Sequence, residues 1–156
     1  MEFGMIKKAL AILCSLYAVV SLGSDSDTPI RLVQSFIADY RVWNDQAHKL
    51  SSAEVTYTGE AMQKAEHLYK KNIISKYCKE GFSGQPIAFG SESSHHPKEE
   101  IIVFKDINEH NAIIQTKHTD INGFVSDYEY RLSKENGRWY LDAVDYFDED
   151  GKYPGL

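Results

Sequence analysis

The chain has 156 residues, 42% hydrophobic and 26% charged, with a net charge of -6. That length suits one domain, and that composition excludes disorder as a description of the whole. An acidic chain has no attraction for phosphate backbones, which argues against nucleic-acid binding; the charge suits a basic partner or serves solubility alone.

Residues 1–23 read as a secretory signal peptide. Lys7-Lys8 precedes an apolar run from Ala9 to Val20, and Ser21-Leu22-Gly23 sets small residues two apart. The run is shorter than the roughly 20 residues a membrane-spanning helix needs. Membrane contact is therefore expected only through an uncleaved leader. The expectation is a mature domain over residues 24–156, periplasmic or otherwise exported. Retention in the cytoplasm or at the membrane through the leader is the alternative. Cys14 lies inside the leader and Cys78 is alone in the body. Without the leader there is no internal disulfide, and no cysteine spacing suits zinc.

Thr28-Pro29 marks a helix start, because Thr caps free N–H groups and Pro suits the first helical position. Val33, Phe36, Ile37, Tyr40, Trp43, Ala47 and Leu50 then recur at helical spacing. A second helix is predicted after Thr58, with Ala61, Ala65, Leu68, Tyr69, Ile73 and Tyr77 on one side. Gly81 is its predicted stop.

From Ile87 the pattern turns to strands. Ile87-Ala88-Phe89 is a short one. Ser91 to Pro97 is a polar loop, in which His95-His96 reads as ordinary loop polarity. Ile101 to Ile107 is a continuous apolar run, as for a strand buried on both faces. Ala112, Ile114 and Thr116 share one side of the next, with His118 late in it as a solvent-facing or ordinary core residue. Phe124, Tyr128, Tyr130 and Leu132 share a face of the strand after that. Asn136-Gly137 is a hairpin turn, since both positions accept positive φ. It leads into Trp139, Leu141 and Ala143, which alternate with Tyr140 and Asp142. Helices followed by an antiparallel meander make an α+β fold.

The C-terminal stretch carries the expected partner-binding patch: Asp142, Asp145, Tyr146, Asp148, Glu149 and Asp150. Aromatic side chains among acids suit an interface anchor within a charged surround. A solvated terminal face is the plainer alternative. Calcium is not expected, because Tyr146 occupies a position that needs an oxygen ligand and no closing Glu follows. No cofactor motif, catalytic nucleophile or metal-ligand set is found.

The helix with Phe36, Tyr40 and Trp43-Asn44, the stretch Ile87-Ala88-Phe89-Gly90-Ser91 with Glu100-Ile101 after it, and the end all point one way. That end comprises Tyr128-Glu129-Tyr130-Arg131-Leu132, Gly137-Arg138-Trp139-Tyr140-Leu141-Asp142 and Tyr146-Phe147-Asp148-Glu149-Asp150-Gly151-Lys152. Together they resemble the immunity proteins of bacterial polymorphic-toxin systems. The resemblance covers nearly everything after residue 28. It implies the cone-shaped nuclear transport factor 2-like fold, with N-terminal helices packed in a curved antiparallel sheet. It also implies a cognate toxin domain encoded nearby as partner, neutralised by stoichiometric binding without catalysis. The alternative is a small-molecule-binding or enzymatic cone domain, ketosteroid isomerase-like or polyketide cyclase-like. There Asp142, Tyr128, Tyr130 and His118 could supply an acid–base pair. Tyr128 and Tyr130, however, pattern with core residues, and Asp142 patterns outward.

Overall fold

The computed structural model describes residues 28–156. The expected signal peptide lies outside the described residues. The chain is α+β: α1 (Pro29–Ala53), α2 (Glu60–Tyr69), a π-helical turn (Lys70–Ile74) and α3 (Ser75–Tyr77) precede five strands. These are β1 (Glu100–Ile107), β2 (Asn111–Thr119), β3 (Val125–Glu135), β4 (Arg138–Asp148) and β5 (Gly151–Pro154). The strands form one antiparallel sheet in the order β1-β2-β3-β4-β5. Among the described residues no helix is long and apolar enough to cross a membrane.

Thr28 caps α1 as expected, its hydroxyl accepting from Arg31 N at 3.2 Å. The predicted stripe from Val33 to Ala47 is buried. Trp43 ties α1 to α2, its indole N–H donating to Ala65 O at 2.9 Å. Beyond α2 the coil widens into the π-helical turn, and the helical run ends at Tyr77, earlier than the stop expected at Gly81. Gly81 instead sits in the turn that follows, at φ +80°.

One face of the sheet packs on the helices. Ala112, Ile114 and Thr116 of β2 point there, with Tyr128, Tyr130 and Leu132 of β3 and Trp139, Leu141 and Val144 of β4. The Asn136-Gly137 hairpin forms as read, at φ +51° and +83°.

Four expectations are corrected. Phe124 does not share the core face with Tyr128. It lies in the turn before β3, where Asp120 Oδ1 accepts from Asn122 N and Phe124 N at 2.8 Å each, and its ring is exposed. Ala143 does not follow Leu141 inward. The β3–β4 ladder skips Asp142, pairing Arg131 with Ala143 but Leu132 with Leu141. Such a bulge reverses the alternation, so Val144 takes the core position. Ile87-Ala88-Phe89 forms no strand. Its neighbour Gly90 is held by the side chain of buried Asn44, which donates to Gly90 O at 3.0 Å and accepts from Gly90 N at 3.1 Å. The segment's anchor is a side chain of α1 and not a ladder.

The fourth correction concerns β1. It is not buried on both faces. It is the sheet edge, and Ile101, Val103, Phe104 and Ile107 are all more than 40% exposed. A bulge between Ile102 and Phe104 leaves Val103 without a partner in the ladder.

Candidate functional site

Three features outside ordinary packing are candidates: the acidic C-terminal stretch, the outer face of the sheet, and a polar cluster inside the core.

The C-terminal stretch is not one patch. Asp142 is exposed at the bulge, accepting from Ser133 Oγ at 2.8 Å, with Lys79 Nζ 3.9 Å away. Asp145 is nearly buried on the outer face and ion-paired to Arg131 at 3.0 Å. Tyr146 points to the opposite face and packs against Tyr128 and Tyr153. Only Asp148, Glu149 and Asp150 stand together, exposed at the tip of the β4–β5 hairpin. Asp148 is partly engaged there, its Oδ1 accepting from Asp150 N at 2.9 Å and Gly151 N at 3.2 Å.

Among the described residues, no layer covers the outer face of the sheet. Ile101 and Phe104 of β1 lie there beside Ile113 of β2, all exposed. Next to this apolar strip runs a band of paired charges. Glu129 accepts from Lys152 Nζ at 2.7 Å and from Gln115 Nε2 at 2.9 Å, and Arg131 meets Asp145. Lys117 pairs with Asp127 at 2.7 Å. An apolar centre bordered by polar and charged groups is the usual anatomy of a protein interface. Sequence periodicity missed it because a run of apolar residues looks the same in a central strand and in an uncovered edge.

The third feature corrects the reading of His95 as loop polarity. The 91–97 loop turns inward and buries His95, with 3% of its surface exposed. Its Nδ1 lies 2.9 Å from Glu100 Oε2. The other Glu100 oxygen accepts from Tyr130 OH at 2.6 Å and Thr116 Oγ1 at 2.5 Å. Burial pushes the Glu100 carboxyl up. The charge and hydrogen bond of His95, with the hydroxyls of Thr116 and Tyr130, outweigh that and hold it below the ordinary value. Glu100 is thus an ionised acceptor serving three donors. The His95 ring packs between Tyr40 and Tyr128, with centroids at 4.7 and 4.4 Å. Burial, eased slightly by Ser94, raises the Tyr40 hydroxyl to about 12. Burial and then the Glu100 charge raise Tyr128 to about 12 as well. Both hydroxyls stay protonated at neutral pH.

His118 proves to be a core histidine, 5% exposed, with Nε2 at 3.5 Å from Glu99 Oε2. It does not join Asp142, which is exposed at the bulge, so those two side chains form no acid–base pair. Among the described residues, no three His, Cys, Asp or Glu side chains are arranged to hold a metal ion. Cys78 is buried and free, and burial, then the nearby Asp142 charge, pushes its thiol up to about 12.

The cluster sets an acid limit on stability. Glu100 has a depressed folded-state pKa, so its contribution is present above the unfolded value of about 4.3 and lost as pH falls through the folded one. Urea midpoints should therefore be flat above pH 5 and fall below about 4. In Glu100→Gln that acid limb should be shallower. An unchanged acid limb in the variant would place the proton uptake elsewhere.

No family model, curated protein or solved structure matches this chain.

Proposed function

We propose that this chain is an immunity protein. On this reading it has the nuclear transport factor 2-like cone fold and neutralises a cognate toxin domain by stoichiometric binding, without catalysis. The observation that carries the reading is the uncovered apolar strip of Ile101, Phe104 and Ile113 at the sheet edge. Exposed apolar edge strands invite association, and a chain that keeps one gains from a partner that covers it. The sequence resemblance, which covers nearly everything after residue 28, supplies the kind of partner. The order of helices followed by an antiparallel meander is compatible with the cone.

The strip provides the buried anchors. The hairpin tip of Asp148, Glu149 and Asp150 provides charge that speeds encounter with a basic surface. Export through residues 1–23 would place the meeting outside the cytoplasm, where a wall- or membrane-directed toxin acts.

The test is protection. Cells expressing the toxin domain from the neighbouring reading frame should survive when this chain is co-expressed in the same compartment. Changing Asp148, Glu149 and Asp150 to Asn, Gln and Asn should slow association and weaken its salt dependence, while protection persists at high expression. Rates unchanged in the folded triple variant would reduce the tip to a solvated turn. Failure of the unaltered chain to protect against that toxin would remove the immunity reading.

A further inference from the structure

The edge of β1 offers a partner more than apolar side chains. At one end of the β1–β2 ladder Asn108 N donates to Asn111 O at 2.9 Å, and at the other Thr119 N donates to Glu99 O at 3.1 Å. Residues of an antiparallel ladder alternate between bonding the neighbouring strand and turning their N–H and C=O away from it. The register therefore bonds Asp106, Phe104 and Ile101 to β2, and turns the main-chain groups of Ile107, Lys105 and Ile102 outward. Among the described residues those outward groups meet no main-chain partner.

Open edges are usually defended by charge or by a bulge. On β1 the defence is selective. The bulge at Val103 interrupts the strand, and residues 104–107 form a regular run beyond it. Phe104 and Asp106 lie on the outer face, opposite Gln115 and Ile113. Lys105 and Ile107 lie on the other face, opposite Ile114 and Ala112, and all four side chains are exposed.

A second copy matches this run poorly. Two copies of β1 paired antiparallel about a two-fold axis must set one residue opposite itself. Centred on Lys105, the pairing opposes two ammonium groups; centred on Asp106, it opposes two carboxylates. Directly opposed like charges are destabilising. Centred on Phe104 it meets the bulge at Val103, and centred on Ile107 it runs into the β1–β2 turn. The same charges accept a different strand of complementary pattern.

We infer that the toxin domain adds a strand to β1. An extended segment of it pairs antiparallel with residues 104–107, with an acid opposite Lys105, a base opposite Asp106, and apolar residues opposite Phe104 and Ile107. Main-chain bonds to Lys105 and Ile107 supply affinity, and the alternating side chains supply specificity. This rests on the immunity reading and adds the mode of recognition to it.

The probe is the purified toxin domain of the neighbouring reading frame, with amide hydrogen exchange of this chain followed by NMR. The Lys105 and Ile107 amides should exchange freely in the unbound chain at every concentration, and about 100-fold more slowly in the complex. Lys105→Pro removes an outward N–H and leaves the β2 ladder alone, so it should unfold at the same urea concentration and bind about 100-fold more weakly. Lys105→Glu should bind about tenfold more weakly. Should Lys105→Pro not fold, the exchange measurement decides. Slow exchange of those amides in the unbound chain would give the edge to a second copy or to another part of this chain, and overturn the inference. Failure of the unaltered chain to bind removes the immunity reading and the inference together. Binding with both amides still in free exchange, or equal affinity in either folded Lys105 variant, overturns the inference and leaves the immunity reading standing.

Discussion

Trp139→Ala should destabilise the domain by about 3–5 kcal/mol, as other large aromatic truncations do when the cavity cannot collapse. Trp139 is 4% exposed and belongs to the core cluster that joins the helices to the sheet. It enters the core directly after the Asn136-Gly137 turn, so its place depends on the hairpin register. Lys134 Nζ sits 5.6 Å from its ring, on the residue that pairs with it across the ladder. The loss should appear in urea unfolding as a lower midpoint with an unchanged slope. A midpoint like that of the unaltered chain would contradict the register.

Glu100→Ala should cost about as much, roughly 3–5 kcal/mol, for a different reason. The side chain is small, and little apolar contact goes with it. What remains is His95, Tyr130 and Thr116 buried without their carboxylate, with only the 3.0 Å contact between Tyr130 OH and His95 Nδ1 left to them. Each unsatisfied buried group costs about 1–3 kcal/mol. Thr116→Val, which removes one donor cleanly, should cost far less, about 1 kcal/mol. The contrast between these two substitutions separates a polar network from simple packing. If both cost the same, the cluster adds nothing beyond the volume of its side chains. A large loss in Glu100→Ala alone would also explain why the 91–97 loop folds inward, since among the described residues Glu100 is the carboxylate that pairs with His95.

Much of the fold was legible because it is written in local periodicity. The stripe from Val33 to Ala47 needs only helical spacing, and Asn136-Gly137 needs only two residues that accept positive φ. The errors share a cause, which is dependence on what lies beyond the element. Whether Ile101 to Ile107 is central or marginal is decided by strand order, and no residue within the run encodes that. Inward burial of His95 depends on Glu100, Thr116 and Tyr130 converging from three strands. The skip at Asp142 depends on the ladder with β3, so a strict count of alternate residues placed Ala143 where Val144 belongs. The acidic stretch was legible as composition but not as geometry. The two faces of β4 send Asp145 and Tyr146 in opposite directions, and only the hairpin tip keeps its acids together.

The central claim is that the outer face at β1 meets a toxin domain in a one-to-one complex. Calorimetry with the purified toxin domain of the neighbouring reading frame tests it most directly. The unaltered chain should bind with a stoichiometry of one and a Kd below about 1 μM, the range of specific interfaces. The double substitution Ile101→Asp and Phe104→Asp, on side chains already exposed, should leave unfolding unchanged and weaken binding by about 100-fold or more, as for loss of central apolar anchors. Absence of binding by the unaltered chain, or equal affinity in the folded double variant, would contradict it.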